Sequence, residues 1–197
     1  MNEISTVIVF IVIIILIAII ILIIAEANEL FLEYRNSKLN NKKYGIQQEF
    51  NKSDEAVELL AKLHTQMGTF VDDLLRKYPN DERVVRLGHG FHRADIEEAP
   101  NDEGSSFTIN KGDLVALCLR HKKGDHPFHD YNTLLFVIIH EMSHIASISE
   151  GHNSEFIANF KFLLKEAKDF GYYEPVDYQK EPINYCGINV TNNPYFG

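Results

Sequence analysis

Three histidines and a glutamate within thirteen residues are the part of this chain that could do chemistry. In "HEMSHIASISEGH", His140 and His144 stand four positions apart. On a helix that spacing stacks two side chains on one face, a turn above each other, so both imidazoles can reach one divalent ion near 2 Å. Glu141 is rotated by about 100° from His140, since each residue advances the helix by 1/3.6 of a turn. It is therefore badly placed as a third ligand and well placed to take a proton from a water activated by the ion. The chemistry expected of this H-E-x-x-H pattern is zinc-assisted hydrolysis, with Glu141 as general base and His140 and His144 as ligands. Catalytic zinc keeps three protein donors and one open position. His152 follows just after a break at Glu150-Gly151 and is the expected third donor, with Glu155 as its competitor.

These residues need a buried helix to carry them, and the flanking sequence supplies one. "LLFVII" precedes the motif and "IASIS" continues it, so a helix is expected from about Tyr131 to Ser149, capped by Asp130. A second helix is expected after a cap at Asn153 or Ser154, with Phe156, Ile157, Phe160, Leu163, Leu164 and Ala167 on its apolar side. A buried helix gains nothing from two histidines and a glutamate unless something satisfies them, because unpaired polar groups inside cost several kcal/mol.

Other segments read less directly. Ala56, Leu60, Leu63, Met67, Phe70, Leu74 and Tyr78 recur at helical steps from Ser53 until Pro79-Asn80, with His64 as a partly exposed residue on that helix. Val84 to Leu87 and Phe91 to Ile96 read as short strands, followed by a loop from Glu97 to Ser105. "SSFTINKGDLVALCLR" predicts a hairpin turning at Asn110 to Asp113, its second strand interior, with Cys118 as inert core. The histidines from His121 to His129 fit no ligand spacing and read as a solvent-facing loop. The last 25 or so residues, rich in Tyr, Pro and Asn, read as an extended surface tail.

The N-terminus has a different texture. Ile4 to Ala25 is uncharged and almost wholly Ile, Val and Leu, long enough as a helix to match a bilayer core of about 30 Å. Residues 1–25 are therefore expected to be a single membrane-spanning anchor, 26–52 a polar tether, and 53–197 the folded domain. Arg35, Lys38, Lys42 and Lys43 follow the span while the first three residues carry no Lys or Arg. That asymmetry places the C-terminal domain on a cytosolic or equivalent side, such as a virion interior. Two cysteines, Cys118 and Cys186, are too few for a disulfide scaffold and agree with a reducing compartment, though a single bridge between them stays open. The net charge is −9 without a dense Lys/Arg cluster, which argues against a nucleic-acid partner and leaves a protein or peptide substrate and the membrane.

"HEMSH" followed by "EGHNSEF" resembles the SprT-like and WLM (Wss-like) zinc metalloproteases, in which a Gly-His-x-x-Glu-Phe-like segment supplies the third histidine. The resemblance implies zinc held by His140, His144 and His152, Glu141 as catalytic base, and Phe156 as the packing residue behind the third ligand. "INKGDLVALCLR", "HDYNTLLFVIIHEMSHIAS" and the late "YCG" look like zincin-like proteins of large DNA viruses, over about Arg83 to Val190. The fold implied is α+β: a small zincin-like domain whose twisted sheet packs on the active-site helix, behind the N-terminal transmembrane helix. One strand of that sheet would be an edge able to pair with an extended substrate. The chain departs from the DNA-repair members in lacking Cys-x-x-Cys pairs and a basic patch, so their DNA-linked role does not carry over. Tyr172, Tyr178 and Tyr185 are candidates to stabilise an oxyanion. Cys186 could block the zinc as a thiolate. A non-catalytic zinc site in a membrane-tethered structural or assembly protein is the alternative function, and hydrolysis of a non-peptide amide would use the same residues.

Overall fold

The computed structural model describes residues 3–29, 32–100 and 105–197. The expected loop from Glu97 to Ser105 lies partly outside them. Helix α1 runs Glu3–Glu29, and its side chains are described from Val9 to Leu22. Among the described residues no helix is long and apolar enough to cross a membrane, so the expected span is not borne out there.

The tether expected over 26–52 is corrected. Strands β1 (Leu32–Asn36) and β2 (Lys43–Gln47) pair antiparallel and belong to the main sheet. The segment is polar overall, yet Tyr44 and Ile46 are fully buried, and two anchors on alternate positions suffice to dock a strand. Helix α2 (Ser53–Lys77) follows as expected, its buried face built from Ala56, Leu60, Leu63, Met67, Phe70 and Leu74. His64 is not a surface residue. It is buried on this helix, its Nδ1 3.0 Å from the Tyr44 hydroxyl, and burial lowers its pKa to about 4.

Val84 to Leu87 is not a strand. Helix α3 (Glu82–Phe91) starts at Asp81, whose side chain accepts a hydrogen bond from the Arg83 amide, and buries Val84, Leu87, Gly88 and Phe91 on one face. Those positions are spaced three and four apart, so helical period wins over the β-branched pair Val84-Val85. Strand β3 is Asp95–Glu98, later and shorter than expected. The hairpin is where the sequence puts it: β4 (Phe107–Ile109) and β5 (Leu114–Leu117) pair antiparallel around a turn with positive φ at Asn110, Lys111 and Gly112.

The five strands lie in the order β1-β2-β3-β5-β4, with β2, β3 and β5 parallel to one another in sequence of contact. Interior strand β5 is mostly buried, while β4 forms one edge. Helix α2 packs on β2 and β3, and α4 (Tyr131–Ala146) packs on β4 and β5. A buried ion pair staples the middle of the sheet. Glu98 Oε1 accepts from Arg120 Nε at 2.7 Å, Glu98 Oε2 accepts from the Gln47 amide, and Arg120 Nη1 donates to the Asn51 carbonyl. Burial raises the Glu98 pKa, and the Arg120 charge opposes that rise.

Helix α5 (Ser154–Asp169) lies against α4, capped by Asn153. The tail is less loose than expected. Its strands β6 (Ile183–Tyr185) and β7 (Ile188–Val190) form a hairpin, and Tyr173, Tyr178, Tyr185, Cys186 and Asn193 are buried. The bridge left open between the two cysteines is present: Cys118 and Cys186 are joined by a disulfide, which fastens the hairpin to the end of β5.

Candidate metal centre

Helix α4 ends earlier than the sequence suggests, at Ala146 rather than Ser149, and that early end makes the site. Ser147 adopts an extended conformation, and the chain turns through Gly151, whose φ of +77° suits a glycine. The turn is tied internally. Glu155 accepts hydrogen bonds from the Ile148 and Ser149 amides at 2.9 and 3.0 Å and from the Ser149 hydroxyl, which together hold its carboxyl down at about 2. Glu155 is therefore committed to the turn and is not the competing ligand. Asn153 donates to Ser149 Oγ while its own oxygen accepts from the Phe156 amide. Arg86 Nε donates to the Ala146 carbonyl, and Asn159 donates to Ser147 Oγ, so α3 and α5 both grip the end of α4.

The result is a return of His152 onto the helix. Its Nε2 lies 3.0 Å from His140 Nε2 and 3.1 Å from His144 Nε2. Donor atoms of the three histidines all lie within 4.8 Å of one another. Four nitrogens at about 2.05 Å around a tetrahedral zinc stand about 3.3 Å apart, so the set fits that ion with little adjustment. The Phe156 ring lies 4.8, 4.4 and 4.7 Å from the rings of His140, His144 and His152, forming an apolar floor under all three. Burial lowers the pKa of His140 to about 3, with the neighbouring histidines adding to it. Burial also lowers His144 to about 4, aided by His152 and Lys111. Both imidazoles are thus neutral at pH 7, the protonation state a metal requires.

Glu141 is buried beside them but turned to the sheet. Its Oε2 accepts a hydrogen bond from Thr108 Oγ1 on edge strand β4 at 2.8 Å. Burial pushes the Glu141 carboxyl up to about 7, and the Thr108 hydroxyl pulls it back. A carboxylate near that value can both accept and return a proton at neutral pH. Lys111, in the β4–β5 turn, donates to the carbonyls of His144 and Ser149 at 3.1 and 2.8 Å. It pins the edge strand to the negative end of α4.

Residues 97–193 match the model of the WLM domain. The uncharacterized protein R325 of Acanthamoeba polyphaga mimivirus is 31% identical over 166 residues, covering 81% of this chain and 83% of its own length. The chain belongs to the WLM domain family. Another viral relative within reach of this WLM chain is the uncharacterized protein 136R of Invertebrate iridescent virus 6, 39% identical over 94 residues, 46% of this chain and 48% of that protein. Among solved structures, Wss1 from Saccharomyces cerevisiae resembles it with a TM-score of 0.47 at 16% identity, over 64% of this chain and 89% of that one.

The remaining sequence candidates fall elsewhere in the WLM chain. Tyr185 is buried, its hydroxyl bonded to Ser106 Oγ and the Cys118 carbonyl. The Tyr172 hydroxyl donates to Asp73, and Tyr178 packs on Phe136. The Tyr185 and Tyr172 hydroxyls are thus bonded to groups other than the histidine trio, and burial, with the Glu141 charge adding to it, raises the Tyr185 pKa. Cys186 is engaged with Cys118, not with the trio, so it does not block the site. His129, read as part of a solvent-facing loop, is buried; His126 packs on Phe50, and His92 pairs with Asp72. Thr108 and Lys111 escaped the sequence reading, because their partners lie 33 residues further along the chain.

Thr108→Val keeps shape and removes the hydroxyl. If the trio and Glu141 act as a zinc hydrolase, it is expected to lower kcat about tenfold, leave bound zinc unchanged, and move the acidic limb of the pH profile upward. The direction follows because the hydroxyl holds the Glu141 pKa down. An unmoved pH profile would show that Thr108 has no hold on Glu141.

Proposed function

We propose that this chain is a zinc metallopeptidase that hydrolyses peptide bonds in protein substrates. His140, His144 and His152 would hold the ion, and Glu141 would act as general base. The observation that carries this reading is the meeting of three imidazole nitrogens beside a buried carboxyl that an edge strand holds in place. Zinc, when bound, would polarise the scissile carbonyl and acidify the attacking water. The chain's own groups do the rest. Glu141 takes the water's proton and hands it to the leaving nitrogen, with Thr108 keeping the carboxyl in line. Strand β4, at the end of the sheet, has one side without a strand partner among the described residues, where an extended peptide can add by main-chain hydrogen bonds.

His152 is exposed while His140 and His144 are half-buried, so substrate and water have a way in. A structural zinc staple would need a fourth donor, and among the described residues no further His, Cys, Asp or Glu joins this trio. That favours the hydrolase over a membrane-tethered assembly protein with a closed zinc site.

The reading includes attachment to a membrane through α1. Every residue from Val9 to Leu22 is exposed, and large apolar side chains on all sides of a helix are costly to leave in water. The folded domain would then lie on the side that carries Arg35, Lys38, Lys42 and Lys43.

Chelation is the direct test of the chemistry. The full chain in detergent is expected to cleave an unfolded protein substrate, to lose that activity on dialysis against a chelator, and to regain it with zinc. Cleavage that persists after the metal is removed would rule the proposal out.

A further inference from the structure

A second cluster of metal-ligating side chains lies away from the histidine trio. Cys118 follows β5, His129 immediately precedes the residue that caps α4, and Cys186 sits at the tip of the β6–β7 hairpin with φ of +49°. All three are buried, and their donor atoms lie within 4.8 Å of one another. The sulfurs are bonded to each other, yet His129 Nε2 also points at them, 3.4 Å from Cys186 Sγ. The loop that carries it is pinned by the His129 amide on the Leu119 carbonyl at 2.8 Å and the His121 amide on the Pro127 carbonyl at 2.9 Å.

A disulfide has no use for that nitrogen. Bonded sulfur is a poor hydrogen-bond partner, and a buried polar atom left poorly satisfied costs about 1–3 kcal/mol. Two thiolates and a neutral imidazole from three separate elements are instead a ligand set for zinc. His121 stacks beside His129, its ring 3.9 Å away, but is not among the donor atoms that meet there.

We propose that Cys118, His129 and Cys186 form a second zinc site in the reduced chain, and that the disulfide is the oxidised, metal-free form of the same site. In the reducing direction a dithiol gives two electrons and two protons to the Cys118–Cys186 bond and becomes a disulfide itself. The two thiols then lose their protons as the ion binds. The site clasps the C-terminal hairpin to β5 in both states, by a covalent bond in one and by coordination in the other, and coordination also ties in the start of α4 through His129.

The test uses the full chain equilibrated with metal, once with the disulfide intact and once reduced by a phosphine without oxygen. The reduced chain is expected to hold one more zinc than the oxidised chain. With cobalt in place of zinc, only the reduced chain should show a thiolate-to-cobalt charge-transfer band. The band should vanish in Cys186→Ser and in His129→Ala, and survive in a His140→Ala/His144→Ala variant. The histidine trio has no sulfur, so the band reads this site independently of the proposed peptidase centre. Equal metal content in the two redox states, or no charge-transfer band in the reduced wild-type chain, would overturn the proposal.

Discussion

Glu141→Gln is expected to leave the chain folded and zinc-bound while peptide cleavage falls by about 10²–10⁴-fold, the range associated with loss of a general base. The amide is nearly the same size as the carboxyl it replaces, and one of its faces can still accept from the Thr108 hydroxyl, which bonds Glu141 Oε2 at 2.8 Å. It also removes a burden, since Glu141 is a buried ionisable group whose charged form is penalised by burial. The variant should therefore be no less stable than the parent. Loss of activity together with unchanged folding and zinc content is what separates a base from a structural glutamate. Paired measurements of thermal unfolding, zinc content and cleavage rate on the two proteins give that separation. Wild-type cleavage by Glu141→Gln would remove the base from the mechanism.

Gly90→Ala is expected to destabilise the domain strongly, through the packing that positions the same site. Alanine favours a helix interior over glycine by about 1 kcal/mol. Here the added carbon would stand 2.3 Å from Ile145 Cγ2 and 2.6 Å from the Lys111 carbonyl oxygen. The first atom belongs to α4 and the second to the β4–β5 turn, so α3, the active-site helix and the edge-strand turn meet at this glycine. Opposite it, Gly112 has φ of +108°, and a carbon added there would lie 2.7 Å from the Gly90 carbonyl oxygen. Two glycines thus let two backbones touch. Overpacking at such a contact costs about 1–3 kcal/mol or more, and the nearest backbone atom cannot swing aside. A fall in the denaturant midpoint, with no change in its slope, is the expected readout. Gly68→Ala on α2, where an added carbon meets nothing within 4 Å, is the matched control and should be neutral or mildly stabilising.

The parts of this molecule legible in its sequence are those fixed by local chemistry. The two helices around the metal motif, with caps at Asp130 and Asn153, and the Asn110–Gly112 turn are set by neighbouring residues, and they stand where the spacing puts them. His152 comes back toward the helix across a turn from Ser147 to Gly151, because α4 has already ended at Ala146. The misreadings share a different cause. Tyr44 and Ile46 hold β2 in the main sheet because α2 packs on it and β3, some fifty residues later, pairs with its other side. Val84-Val85 has strand-forming residue types, and the buried spacing of Val84, Leu87 and Phe91 becomes decisive only when α2 and α4 are there to bury it. The Thr108–Glu141 and Lys111–His144 contacts link a strand to a helix across a loop, and neither residue carries a local sign of its task. The tail looked loose because tyrosine and proline are equally at home on a surface; the bond to Cys118 and the burial of Tyr173, Tyr178 and Tyr185 give it its place.

Zinc titration of the full chain with its Cys118–Cys186 bond intact, compared between wild type and His152→Ala, addresses the convergence of the three histidines most directly. The account predicts one tightly held zinc in the wild type and affinity weaker by more than about 100-fold in the variant. An unchanged affinity in His152→Ala would contradict it.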